Sequence, residues 1–139
     1  MPIVLPTLPD PAPEETGPFC VIAKHRAKPG RADDYERRML ADLDRTRSEP
    51  GALQFHIHRD RYDRDLFVIY EVWGNVEALR DHFGKPYVKQ FVLDSAEYID
   101  GDMDVQWLVM ASEYIARKQN RGNLISARFS PVDVKHIGG

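Results

Sequence analysis

A chain of 139 residues with 42% hydrophobic and 29% charged residues has the size and balance of one globular domain that buries roughly two thirds of its unfolded surface. A net charge of −3 offers no basic face for nucleic acid, no apolar run nears the roughly 18 residues of a membrane span, and the N-terminus lacks a secretion signal's basic start and apolar centre, so a cytoplasmic protein is expected. The single cysteine, Cys20, sits in an apolar run; it excludes an internal disulfide and reads as a buried thiol rather than a nucleophile.

In chain order, six of the ten prolines fall between Pro2 and Pro18, which removes backbone donors and makes residues 1–18 an arm rather than a core segment. Phe19 to Ala27 alternates as a strand, with Val21, Ala23 and His25 on one face and Cys20, Ile22, Lys24 and Arg26 on the other. Pro29-Gly30 turns the chain into a helix over residues 31–47, where Ala32, Tyr35, Met39, Leu40 and Leu43 recur at helical spacing, with Asp33 and Asp34 near its start and Arg45 and Arg47 near its end. Pro50-Gly51 stops it. Ala52 to Asp60 is a second strand with Leu53, Phe55 and Ile57 on one face, and Leu66 to Trp73 a third, apolar on both sides except at Glu71. Asn75 caps a helix through Phe83, Pro86 opens another through about Ala96, and Met103 to Ala111 forms a fourth strand. A late strand is expected over residues 122–131. Residues 113–139 carry Arg117, Lys118, Arg121, Arg128 and Lys135 against Glu113 and Asp133, a basic extension that either is solvated or pairs with an acidic part of a second subunit.

The order β-α-β-β-α-β predicts an α+β, ferredoxin-like domain over residues 19–112, an antiparallel sheet with its helices on one face. The other face carries Cys20, Ile22, Leu66, Val68, Tyr70 and Val72, an apolar patch that predicts a homodimer of the dimeric α+β barrel kind, with sheet packed on sheet. The proline-rich arm and basic tail are expected to lie along the partner subunit.

Lys28-Pro29-Gly30, Glu49-Pro50-Gly51 with Leu53 and Phe55, Glu71-Val72-Trp73, and Glu77-Ala78-Leu79 leading to His82 together resemble the antibiotic biosynthesis monooxygenase family over residues 19–112. The resemblance implies dimeric α+β barrels whose members oxidise quinols or anthrones with dioxygen and no cofactor, cleave heme, or isomerise small phosphorylated carbonyl compounds. Two positions depart from it. The heme-degrading branch has an Asn where this chain has His25, which argues against heme degradation, and Tyr87 stands where many members have a second His.

Oxidation without a cofactor requires removal of a substrate proton, to make an electron-rich anion, in a dry pocket. A histidine with a pKa near 6.5 suits that step. The candidate catalytic residues are therefore His82 and His25 as the base and Trp73 as a flat wall; Phe55, Glu71, Tyr87 and Phe91 would line the substrate cavity. Each also has a plainer role. His82 can bond a backbone carbonyl, Trp73 can be core, and Glu71 can pair with Arg26, Lys24 or a helix residue. His56 and His58 share a strand face without a third ligand, so no metal is expected, and the two Pro-Gly segments are read as turn chemistry with no part in catalysis. The leading expectation is a cofactor-independent monooxygenase acting on a small aromatic substrate with dioxygen. Its rivals are an isomerase of a small carbonyl compound, which needs Lys or Arg in the pocket, and a non-catalytic dimeric ligand-binding module.

Overall fold

Alternation along Phe19–Arg26 forms β1, whose Val21, Ala23 and His25 are buried on one face. The computed structural model describes residues 4–12, 15 and 17–115. After β1 come α1 (Ala32–Leu40), α2 (Leu43–Arg47), β2 (Ala52–Arg59), β3 (Leu66–Trp73), α3 (Val76–Phe83), α4 (Pro86–Asp94), a 3₁₀ turn (Ser95–Glu97) and β4 (Asp104–Val109). The sheet order is β2-β3-β1-β4 with antiparallel pairing throughout, which is the ferredoxin-like α+β arrangement. The expected strand over residues 122–131 and the basic residues from Arg117 onward lie outside the described residues.

Register decides which side chains meet the helices. Val21 lies opposite Glu71, Ala23 opposite Ile69 and His25 opposite Phe67, so one face of the two central strands points at α1 and α4. There Ala23, Phe67 and Ile69 pack with Tyr35, Met39 and Ile99, and Phe91 joins them. A second cluster gathers Phe19, Val21 and Trp73 against Val76 and Leu79 of α3, with Leu8 of the arm packed on it. The described part of the arm therefore lies on its own domain.

Three expectations are corrected. The helix expected over residues 31–47 is broken between Leu40 and Leu43: Asp42 N–H bonds the Met39 carbonyl three residues back, at 3.2 Å, while the Asp42 carboxylate holds Arg38 at 2.8 Å. This tightening ends α1 and redirects the chain into α2. As a result Leu40 is exposed (46%), whereas Leu43 reaches the cavity described below. In β2 the register shifts between Ala52 and Gln54, a bulge that leaves Leu53 41% exposed and removes it from the face shared by Phe55 and Ile57.

Turns place the elements as their residues require. Gly30 has φ of 79° and the Arg31 N–H bonds the Lys28 carbonyl at 3.0 Å, a turn with Pro at its second and Gly at its third position. Gly51 answers to crowding instead: a Cβ built there would stand 2.3 Å from Ala78 Cβ of α3.

Candidate active site

Asn75 caps α3 by accepting from the Ala78 N–H at 2.9 Å, and the turn so started carries Val76, Leu79 and His82 on its buried side. His82 tilts over Trp73 with ring centroids 4.7 Å apart. Its Nδ1 lies 2.7 Å from Glu49 Oε2, and both side chains are only 9% exposed. Because an ionised carboxylate can only accept, Nδ1 carries the proton and Nε2 keeps its lone pair. Burial lowers the His82 pKa from its ordinary value, and the Glu49 contact opposes that shift only in part, so the ring is neutral near pH 7. Tyr87 donates its hydroxyl to the same Glu49 oxygen and stands 3.2 Å from Thr46 Oγ1. Burial and the bond to Glu49 push the Tyr87 phenol up to about 12, against the opposing effect of Thr46.

His82 and Tyr87 border a cavity of ≈110 Å³ between sheet and helices, whose wall also includes His25, Met39, Phe55, Glu71, Phe91 and Trp107. Leu5 and Pro6 of the arm contribute to it as well. The Glu71 carboxylate accepts the Trp73 indole N–H at 2.9 Å. Burial pushes this carboxyl up to about 7, against the opposing effect of the indole. His25 shares a hydrogen bond through Nδ1 with the Tyr35 hydroxyl, while its Nε2 has no partner among the described residues. Burial lowers the His25 pKa to about 4. Among the described residues no group of three His, Cys, Asp or Glu side chains could hold a metal ion, and no helix among them is long and apolar enough to cross a membrane.

Of the residues expected at the site, His82, His25, Phe55, Glu71, Tyr87 and Phe91 do border one cavity. Trp73 does not: it is fully buried, lying behind His82 and holding Glu71, and Phe55, Phe91 and Trp107 supply the aromatic wall instead. Nor does Glu71 pair with Arg26 or Lys24, which project from the opposite face of β1; Arg26 reaches Asp63 at 2.8 Å instead. His56 and His58 sit exposed on β2, with His58 Nδ1 3.1 Å from the Val68 carbonyl.

Glu49 was missed, because its Pro-Gly neighbours read as turn chemistry alone. It does begin the turn, its carbonyl accepting from Ala52 N–H at 3.0 Å, yet its side chain is what orients His82. The signal available in sequence was an acid at the end of α2, but nothing local ties it to a histidine 33 residues later.

A ferredoxin-like α+β domain with an acid-backed histidine on an aromatic cavity between sheet and helices is the class of protein defined here. The family model described as antibiotic biosynthesis monooxygenase matches residues 18–93, more than half of the chain, and the chain belongs to that family. The uncharacterized protein sll1783 of Synechocystis is 29% identical over 82 residues, 59% of this chain and 56% of its own length; the chain thus spans just over half of that curated relative. Among solved structures, PA3566 from Pseudomonas aeruginosa is 28% identical with a TM-score of 0.66, covering 71% of this chain and 99% of its own. Rv0793 from Mycobacterium tuberculosis, 23% identical with a TM-score of 0.64 over 69% of this chain and 97% of its own, shares the fold.

Proposed function

We propose that this chain is a cofactor-independent monooxygenase that oxidises a quinol, anthrone or related dihydroxyaromatic compound with dioxygen. The observation that carries this reading is the His82–Glu49 pair at the edge of an apolar cavity. His82 Nε2 takes the substrate proton, and Glu49, accepting from Nδ1–H, stabilises the imidazolium that forms and fixes the tautomer that makes Nε2 the base. The resulting anion gives one electron to dioxygen, and recombination of the two radicals makes a carbon–oxygen bond. Breakdown of the peroxide leaves one oxygen atom on the product as a carbonyl and releases the other, with two protons, as water. Met39, Ile57, Ile69 and Val105 keep the site poor in water, which favours these steps over side reactions. His25 is the poorer base, because its pKa lies near 4 and no carboxylate backs it.

An isomerase of a phosphorylated carbonyl compound fits less well. The cavity wall has no Lys or Arg among the described residues, so a phosphate would find no cation to pair with there. The proposal includes a homodimer formed through the open sheet face, where Ile22, Val68 and Tyr70 are partly exposed and Leu108 is 38% exposed.

The test follows oxygen consumption by the metal-free protein with a panel of quinols and anthrones. His82→Ala should lower the rate roughly 10²- to 10⁴-fold, the usual contribution of a positioned base, with Glu49→Gln falling between it and the native chain. Ligand-induced stabilisation with no oxygen uptake in the native chain would overturn the monooxygenase reading and leave a binding module.

A further inference from the structure

We propose that Glu71 is the acid that complements His82: its carboxyl group, with the proton in place, donates a hydrogen bond from the cavity wall to a ligand oxygen and so steadies the charge that gathers there. This deepens the reading of the same cavity and rests on it only in taking His82 as the base.

An acid at this position has no cation to keep it ionised. Glu71 stands on the helix-covered face of a central strand, opposite Val21 of β1 and Phe55 of β2, and no Lys or Arg among the described residues borders the cavity. Its hydrogen-bond partner there is the Trp73 indole N–H at 2.9 Å. A buried carboxylate with one neutral donor is costly, and keeping the proton removes the charge; burial accordingly raises Glu71 to about 7. Because an indole N–H can only donate, Oε1 is the accepting oxygen and the proton belongs on Oε2. That second oxygen is open to the cavity. Glu71 keeps part of its surface accessible where it borders the cavity, and the sealed side-chain polar atom without a partner among the described residues is His25 Nε2, not an oxygen of Glu71.

The indole also ties the acid to the base. Trp73 offers its N–H to Glu71 and its ring to His82, at 4.7 Å between centroids, so both groups are arranged around one buried side chain. Their surroundings shift them in opposite senses, His82 toward the free base and Glu71 toward the neutral acid, the pattern of a base and an acid that work together near pH 7. The other titratable groups facing Glu71 across the cavity are Asp42, His25, His82 and Tyr87. Asp42, ahead of α2, is paired with Arg38 at 2.8 Å. His25 of β1 and His82 of α3, which has Glu49 behind it, are both lowered from the ordinary histidine value, and Tyr87 of α4 is pushed up to about 12. The described residues of β2, β4 and the arm bring only uncharged side chains to the border.

The experiment is equilibrium dialysis of the full chain with acetophenone, a single ring whose carbonyl can only accept, and with α-methylstyrene, the same shape with a methylene in place of the oxygen. Below the Glu71 pKa of about 7 the native chain should bind acetophenone roughly tenfold more tightly than its isostere, the usual consequence of one hydrogen bond from a buried donor. That preference should disappear as pH rises through about 7, because a carboxylate has no proton to donate, while the affinity for α-methylstyrene stays constant. Glu71→Gln, whose amide donates at every pH, should keep the preference and lose its pH dependence with the other four groups in place. Glu71→Leu should abolish the preference. Equal affinities in the native chain, a native preference that does not change with pH, binding of neither compound, or a preference that survives in Glu71→Leu would overturn the proposal; the native comparison decides even if a variant misfolds. Neither measurement depends on turnover. Failure of oxygen uptake on quinols would overturn the monooxygenase reading and leave this one standing, whereas a flat acetophenone preference would remove Glu71 as the donor and leave His82 as the base.

Discussion

Two buried groups in the cavity wall pull stability in opposite directions with pH. Glu71, raised to about 7, keeps in the folded state a proton that the unfolded chain releases from about pH 4.5, so its contribution to stability falls as pH rises from about 4.5 to 7. His25, lowered to about 4, refuses when folded a proton that the unfolded chain takes up, so its contribution falls as pH drops from about 6.5 to 4. Each effect is on the order of 3 kcal/mol, and over the shared window they largely cancel. Glu71→Gln should therefore make stability rise with pH between about 4 and 6.5, helped by His82, which is lowered in the same sense. His25→Gln should make it fall between about 4.5 and 7. Urea denaturation at several pH values in this range reads both slopes, and variants that keep the native slope would refute the assignment. Asp33, Asp60, Asp63 and Asp94, all held below the usual carboxylate range, lose their contributions below that window.

At the scale of elements, the site depends on how β2 begins. The Gly51 carbonyl accepts from Gly74 N–H at 2.8 Å, which joins the start of β2 to the end of β3, while α3 passes so close that a Cβ at residue 51 would overlap Ala78. Glu49 is two residues before this crossing and His82 is on the helix that makes it. Gly51→Ala should cost roughly 1–3 kcal/mol through overpacking and should also weaken the His82–Glu49 contact. Its activity should thus fall further than that of an equally destabilised variant remote from the site; a loss matched to stability alone would show that the crossing does not position the pair. The break at Asp42 belongs to the same scale, since the α2 that follows it carries Thr46, whose Oγ1 stands 3.2 Å from the Tyr87 hydroxyl.

For the whole molecule, the arm and the open sheet face have separate roles. Leu5 and Pro6 border the cavity and Leu8 packs on the Phe19, Val21 and Trp73 cluster, so removing residues 1–17 should open the cavity. Acrylamide should then quench Trp107 more readily, and stability should drop by roughly 1–2 kcal/mol for the apolar surface uncovered; unchanged quenching would place the arm outside the site. Tyr70→Asp, on the opposite face of the sheet, should split the proposed dimer in sedimentation while leaving the quenching of Trp107 as it is in the native chain.

Much was legible in one dimension because it depends on near neighbours. Alternation placed β1 and β3 almost to the residue, and Asn75, Pro86 and the two Pro-Gly turns marked where helices start and strands begin, since caps and turns act over three or four residues. Strand parity likewise put His25, Glu71 and Phe55 on the face that lines the cavity. Only tertiary structure decided that Trp73 stands behind His82, that Leu53 falls on a bulge, and that Glu49 serves the imidazole. Those facts depend on register and on elements tens of residues apart coming within about 3 Å, a hydrogen-bond distance, and no local pattern of residue types records such a meeting. The sequence determined which chemistry-bearing groups were present and which way most of them faced, and packing determined which two of them touch.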